Sequence, residues 1–474
     1  MPEGMSFPVG SVLPEIVLLA GSVLVLIVAL FAPERRQQWA GGIALVVVVA
    51  AVVATAPMLR GDQGLTFTGT YAADDAAVWS KLIVLGITAA VIGLSLEWFR
   101  PDPRRGELYT LLLMSALGAV VLAAAADLLE LLLGVLLSSA TGYVLAAYHR
   151  RAAHSVESGI KYYLIGALTN AAMLYGVVLF FGAASTTTFV DAIQPLRDAD
   201  PIVLIAAVGL LVVGLAFKVG AVPAHAWVPD VAQGAPAPMA AFLTTAPKVG
   251  ALVALGRLAL ILPEAAGWRP AVALVAAATM TLGNLACLWQ DDLRRLLGWS
   301  AVSQAGYGLM AVVALGRSDL AVASLLFFLV AYALANLAAF GVVVELRGRT
   351  SLEEYSGLAR ARPLLAASLV VAFLSFIGIP PLGGFAAKLL LFGAVIDAGY
   401  GWLAVVAVLN TVVSVFYYLR VLGPAYHAPL TGPVPVLGSS AATATVVAAA
   451  AVVVVGLAAE PLLHAFELAR LLPG

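Results

Sequence analysis

The chain has 474 residues, of which 62% are hydrophobic and 11% charged, with a formal net charge of −1 and a mean hydropathy of +1.03. Soluble domains carry about 25% charged residues. The composition therefore excludes a soluble globular enzyme and describes an all-α polytopic membrane protein embedded in a lipid bilayer; its near-neutral charge carries no signal for nucleic acid.

The N-terminus, MPEGMSFPVG, has no basic region, so no cleaved signal peptide is expected. A span needs about 20 apolar residues. About 14 runs qualify, at 11–32, 40–59, 76–98, 107–126, 128–148, 158–182, 202–225, 238–262, 270–289, 297–315, 320–345, 364–396, 400–422 and 439–459. Glu34-Arg35-Arg36 follows the first run, and positive-inside logic puts that loop in the cytoplasm and the N-terminus outside. Later loops agree. Arg100, Arg104, Arg105, Arg150, Arg151, Arg294, Arg295, Arg347, Arg349, Arg360, Arg362 and Arg420 share the predicted inner side with Arg35 and Arg36. Only Arg60, Arg197, Arg269, Arg317 and Arg470 lie on the outer side, where both termini are expected.

Lys81, Lys161 and Arg257 fall near span ends, where long basic side chains are expected to snorkel. Cys287 is the only cysteine and reads as a small buried hydrophobe, which excludes disulfides and cysteine-ligated metal or iron–sulfur centres within the chain. No Gly-rich phosphate loop follows a strand, so no nucleotide site is indicated.

Two spans are interrupted. In the seventh, Lys218 precedes Val222-Pro223 and AHAWVPD. In the twelfth, Ile379-Pro380-Pro381 and Gly383-Gly384 precede Lys388. Proline removes a backbone donor and clashes with the preceding turn, and such breaks at membrane depth need protein or water around them. Two breaks five spans apart suggest a five-helix unit used twice, in spans 4–8 and 9–13, with the copies inverted because five is odd. The plain alternative is a pair of kinked packing helices. The implied organisation is 1–104 for three N-terminal helices, 105–265 and 266–424 for the two units, and 425–474 for the last helix and tail.

Lys218, Lys248 and Lys388 are three of only five lysines, and all three are central in apolar spans. An ammonium there costs about 2.5–3.5 kcal/mol on insertion scales. A buried lysine takes up or releases a proton according to the charge beside it, as a proton relay requires. Thr244 and Thr245 precede Lys248, His225 follows the first break, and Ser303, Tyr307 and Asn336 extend a polar row toward Lys388. The bland readings are a histidine that satisfies freed carbonyls and interhelical hydrogen bonds from Tyr307 and Asn336.

The segments FKVGAVPAHAWVPDVAQGAP, TTAPKVGALVALGR, GNLACLWQDDLRRLLGWSAVSQAGY, LEEYSGLARARPLLA, GIPPLGGFAAKLLLF and WLAVVAVLNTVVSVFYYLR resemble the antiporter-like subunit family of proton-pumping NADH:quinone oxidoreductase, respiratory complex I. The likeness runs over roughly 105–425, and the APKVGA and LNTVVSVFYYLR segments point to its subunit N branch. The resemblance implies a fourteen-helix fold with two inverted five-helix units. It implies a switched lysine at Lys218, a connecting lysine at Lys248 and a terminal, proton-exchanging lysine at Lys388. It implies flanking subunits of the K and M types with a J type nearby, in a bacterial inner membrane. It also implies that NADH, FMN, iron–sulfur clusters and quinone belong to partner subunits, with no cofactor in this chain.

One departure stands out. The family pattern LGLELLSLSLY has a glutamate where LGVLLSSATGY here has Leu136. Glu130 lies six residues earlier, about 9 Å along the axis and rotated by about 240°. Asp127 falls at the predicted span start, where it reads as solvated. Three readings stay open: Glu130 or Asp127 substitutes, a neighbouring subunit supplies the carboxylate, or the first half no longer switches. The rival functions are an Mrp-type cation/proton antiporter subunit, a structural scaffold, and a membrane subunit of a hydrogenase or deazaflavin-coenzyme complex.

Overall fold

The computed structural model describes residues 9–33, 36–61, 63–430 and 432–472. Glu34 and Arg35, used in the orientation argument, lie outside the described residues, as do residues 1–8 and 473–474. The long helices are α1 (Leu13–Phe31), α2 (Gln38–Thr55), α3 (Asp75–Trp98), α4 (Arg105–Ala124), α5 (Leu128–Ala146) and α6 (Ala153–Ala184). They continue as α7 (Pro201–Val219), α8 (Trp227–Gly234), α9 (Ala237–Leu243), α10 (Ala246–Ile261), α11 (Trp268–Cys287) and α12 (Leu293–Ala314). The rest are α13 (Leu320–Glu345), α14 (Pro363–Ile377), α15 (Gly383–Asp397), α16 (Gly401–His427), α17 (Ser439–Leu457) and α18 (Ala459–Glu467). A short antiparallel pair, β1 (Gly64–Thr66) and β2 (Tyr71–Ala73), precedes α3.

Among the described residues, 13 helical segments are long and apolar enough to cross a membrane. The predicted twelfth span is not one helix but two of 15 residues, α14 and α15. The predicted seventh span stops early, at Val219 rather than 225, because Gly220 takes a left-handed cap with φ +78°. Aspartate N-caps start several helices. Asp74 accepts from the Ala77 amide, Asp127 from Leu129, Asp200 from Ile202 and Asp292 from Arg295.

The centre is the segment Ala237–Ile261, whose most apolar window is 100% buried, flanked by α12 and α13 at 94% and 89%. In contrast, α2 and α17 each bury only 28% of theirs and present leucine and valine outward. Helix α4 packs on α1, α5 and α10, while α8 packs on α12 and α9 on α13, so the two halves of the chain interlock. Small residues permit close approach, as at Gly118, where a Cβ would sit 2.5 Å from the Ser138 amide nitrogen.

Two basic residues expected to snorkel do the opposite. Arg257 is fully buried; it donates to both Asp74 oxygens, at 2.5 and 3.1 Å, and to the carbonyls of Ala123 and Leu472. Lys81 is also fully buried, 3.0 Å from Glu15 Oε1 and 2.6 Å from the Tyr71 hydroxyl. A buried partner held more strongly than water overrides the position near a span end. Lys161, by contrast, is 45% exposed and pairs with Glu157 and Asp230.

Candidate functional site

Lys218 occupies the last turn of α7, where the helix dipole favours a cation. It is 1% exposed, and its Nζ donates to Ser138 Oγ at 3.2 Å, with the Phe217 ring 5.9 Å away. Ser138 lies on α5, two residues beyond the position where the family pattern carries its glutamate. Leu136 itself is 44% exposed, on the outer surface of the helix. A two-residue step turns about 200° around a helix, so Ser138 and Leu136 face different ways.

Lys248 lies in the first turn of α10, where the dipole opposes a cation. Its Nζ donates to the Ala301 carbonyl at 2.5 Å and to the Tyr332 hydroxyl at 3.4 Å, and sits 4.7 Å from the Tyr332 ring centre. The Tyr332 hydroxyl in turn donates to the Thr244 carbonyl at 2.9 Å. Asn336 donates to the Thr244 hydroxyl at 3.0 Å. Asn336 and Thr244 thus brace the Lys248 pocket.

Lys388 sits in the second turn of α15 and is 5% exposed. Its Nζ donates to the Ile377 carbonyl, at the end of α14, and to Thr411 Oγ1 on α16, both at 3.1 Å. The Tyr307 ring lies 4.2 Å below the ammonium, and the Tyr307 hydroxyl is 3.0 Å from Thr411 Oγ1. The gap between α14 and α15 thus presents a free carbonyl to the lysine that follows it. A small cavity lies between Lys388 and Tyr332, lined also by Gln304, Ser375 and Gly384. Its roughly 10 Å³ for a water centre is near what one water needs. Because Tyr332 also contacts Lys248, this cavity joins the surroundings of two lysines.

Other predicted residues lie apart. His225 packs obliquely against Trp299, with ring centroids 5.7 Å apart, and is not among the hydrogen-bond partners of the three lysines. The buried Ser303 hydroxyl has no hydrogen-bond partner among the described residues. Thr245 turns back to the Ala241 carbonyl of its own segment. Asp127 is 4% exposed rather than solvated, held by the Leu129 amide at 2.7 Å and Thr187 Oγ1 at 2.6 Å. Glu130 is in the first turn of α5 with a buried, unpartnered Oε2, and its charged neighbours are Asp127, Glu15, Arg257 and Lys81 rather than Lys218. Sequence reasoning missed Ser138, Tyr332, Thr411 and Gln304; hydroxyls and amides in apolar helices were the available signal, and nothing local singled these out.

The transmembrane family NADH:quinone oxidoreductase/Mrp antiporter matches residues 125–414. An NADH-quinone oxidoreductase subunit N from Mycobacterium sp. is 42% identical over 421 residues, 88% of each chain. One from Streptomyces griseus, subunit N 1, is 43% identical over 420 residues, again 88% of each. A chain of respiratory complex I from Thermus thermophilus superposes with a TM-score of 0.83 at 32% identity, covering 95% of this chain and 98% of its own. With this identity spread over nearly the whole length, the chain belongs to the antiporter-like membrane subunit family, in the branch of the NADH-quinone oxidoreductase subunits N.

Proposed function

We propose that the chain is the proton-translocating N-type membrane subunit of an NADH:quinone oxidoreductase, and that Lys218, Lys248 and Lys388 carry the protons. The observation behind this reading is three buried lysines that make hydrogen bonds to hydroxyls and carbonyls and form no ion pair among the described residues. A buried ammonium held only by neutral oxygens can lose its proton without leaving an orphaned carboxylate. Tyr332 and the cavity beside it support transfer between Lys248 and Lys388, by way of water.

Redox chemistry falls to partner subunits, which hold NADH, FMN, iron–sulfur clusters and quinone, and their redox events drive this chain. The flanking partners are the K-type and M-type subunits, with a J-type nearby, in the bacterial inner membrane. Both termini face the outer side, and the units 105–265 and 266–424 act as inverted halves around the lysine row. The test is alanine at each of Lys218, Lys248 and Lys388, read as proton uptake per electron in vesicles containing the whole complex. Each variant is expected to pump less at retained assembly; unchanged pumping in all three ends the proposal.

A second reading has its own support. Ser138, not a carboxylate, contacts Lys218, and Leu136 faces outward. On this reading the first half is a scaffold and only Lys248 and Lys388 conduct. Normal pumping by Lys218→Ala together with loss by Lys388→Ala would favour it.

A further inference from the structure

The first turn of α5 lies in a buried charged cluster outside the lysine row. It sits at the end of the molecule that holds Ser11 and Leu472, near both chain ends. Glu15 on α1 is 8% exposed. Its Oε1 accepts from the Tyr71 hydroxyl at 2.5 Å and pairs with Lys81 at 3.0 Å. Lys81 also donates to the Tyr71 hydroxyl at 2.6 Å and to the Ser11 carbonyl at 3.2 Å. Tyr71 is tied to the α4–α5 connection by a bridge to Ala125. Burial, and then the charge of Glu15, push the Tyr71 phenol well above its ordinary value, so it stays a donor.

The charged and titratable groups that act electrostatically on or with Glu130 are Glu15 from α1, Tyr71 from β2, Lys81 from α3, Asp127 at the N-cap of its own helix and Arg257 from α10, with Asp74 bound to Arg257. The two cations are spoken for: Arg257 by Asp74, Lys81 by Glu15. Asp127 already accepts from the Leu129 and Glu130 amides and from the Thr187 hydroxyl. Among the described residues Glu130 forms no ion pair, and its Oε2 is buried without a hydrogen-bond partner, as is Glu15 Oε2. An unpaired buried carboxylate is costly, and a proton removes that cost. A metal cation fits poorly, because the Lys81 ammonium already occupies the cation position beside Glu15.

We propose that Glu130 and the Glu15–Tyr71–Lys81 triad form a second proton-binding site, in which Glu130 holds one exchangeable proton. The site is independent of the lysine reading. The test uses the whole complex and infrared difference spectra between acid and alkaline pH, read in the carbonyl stretch of protonated carboxyls. Glu130→Gln is expected to remove one such band, and Lys388→Ala to leave it in place. Tyr71→Phe removes no charge and is expected to shift the band, which keeps the test open if the glutamine variant fails to assemble. A band unchanged in Glu130→Gln and Tyr71→Phe overturns the proposal. Displacement of the band by sodium at fixed pH also overturns it, in favour of a cation site.

Discussion

Tyr332 is the residue through which Lys248 reaches the second half of the molecule. Its hydroxyl accepts from Lys248 and donates to the Thr244 carbonyl, while its ring borders the cavity beside Lys388. Tyr332→Phe keeps the ring and removes the relay atom, so pumping per electron is expected to fall while assembly and quinone reduction persist; vesicle proton uptake checks this. Arg257 is of a different kind. Removing one partner of a buried ion pair costs about 3–5 kcal/mol, because the other charge is left unpaired. Arg257→Ala strands Asp74 and leaves the carbonyls of Ala123 and Leu472 without their donor. Loss of assembled complex on native gels is expected. That Lys218 and Lys388 lie in apolar helices was legible in the sequence, since lysine in an apolar run is a local anomaly. That Arg257 and Lys81 were structural was not, because their partners Asp74 and Glu15 are distant in sequence.

At the scale of elements, the gap between α14 and α15 decides where Lys388 points. Gly384 opens α15 directly against α14, and a Cβ there would fall on the Ser375 carbonyl. Gly384→Ala is therefore expected to push the two half-helices apart, break the Lys388 contact with Ile377 and lower pumping more than a surface Gly→Ala change such as Gly399→Ala at a φ of +84° destabilises its turn. Proton uptake beside complex yield separates the two. A second element-level device clamps the α10–α11 turn. Glu264 accepts from Arg269 Nε at 2.8 Å, and Arg269 also donates to the carbonyls of Val313 and Leu315. The Arg269 hydrogen bond, with Arg317 nearby, holds the Glu264 carboxyl below its ordinary value. A depressed carboxyl contributes stability above its unfolded value and loses it as pH falls through the folded one. Glu264→Gln is expected to flatten the acid limb of thermal stability slightly, because a pair whose carboxylate is half-exposed contributes only about 1 kcal/mol. The proline and glycine signals marked both interruptions in the sequence, since those residues act on their own backbone; the carbonyl each gap offers depends on what packs across it.

For the whole molecule, the charge bias of the loops predicts an orientation that labelling can check. The buried Cys287 leaves a nearly silent background. A cysteine at exposed Asp319 is expected to react with an impermeant maleimide added outside intact cells, and one at exposed Arg347 only after permeabilisation. The reverse pattern would invert the topology and move the Glu130 cluster to the cytoplasmic side.

By itself the sequence determined the membrane class, the approximate spans, the placement of five lysines in them and the family resemblance, because hydropathy, helix breakers and motif order are read within one stretch of chain. Only the tertiary structure decided which of those lysines are ion-paired and which are held by neutral oxygens. It put Lys81 with Glu15 and Arg257 with Asp74, 183 positions away, and gave Lys218 Ser138 in place of a carboxylate. The reason is geometric: the hydrogen bonds and ion pairs of a buried charge need partner atoms within about 4 Å, and helices packed side by side supply those atoms from anywhere in the chain.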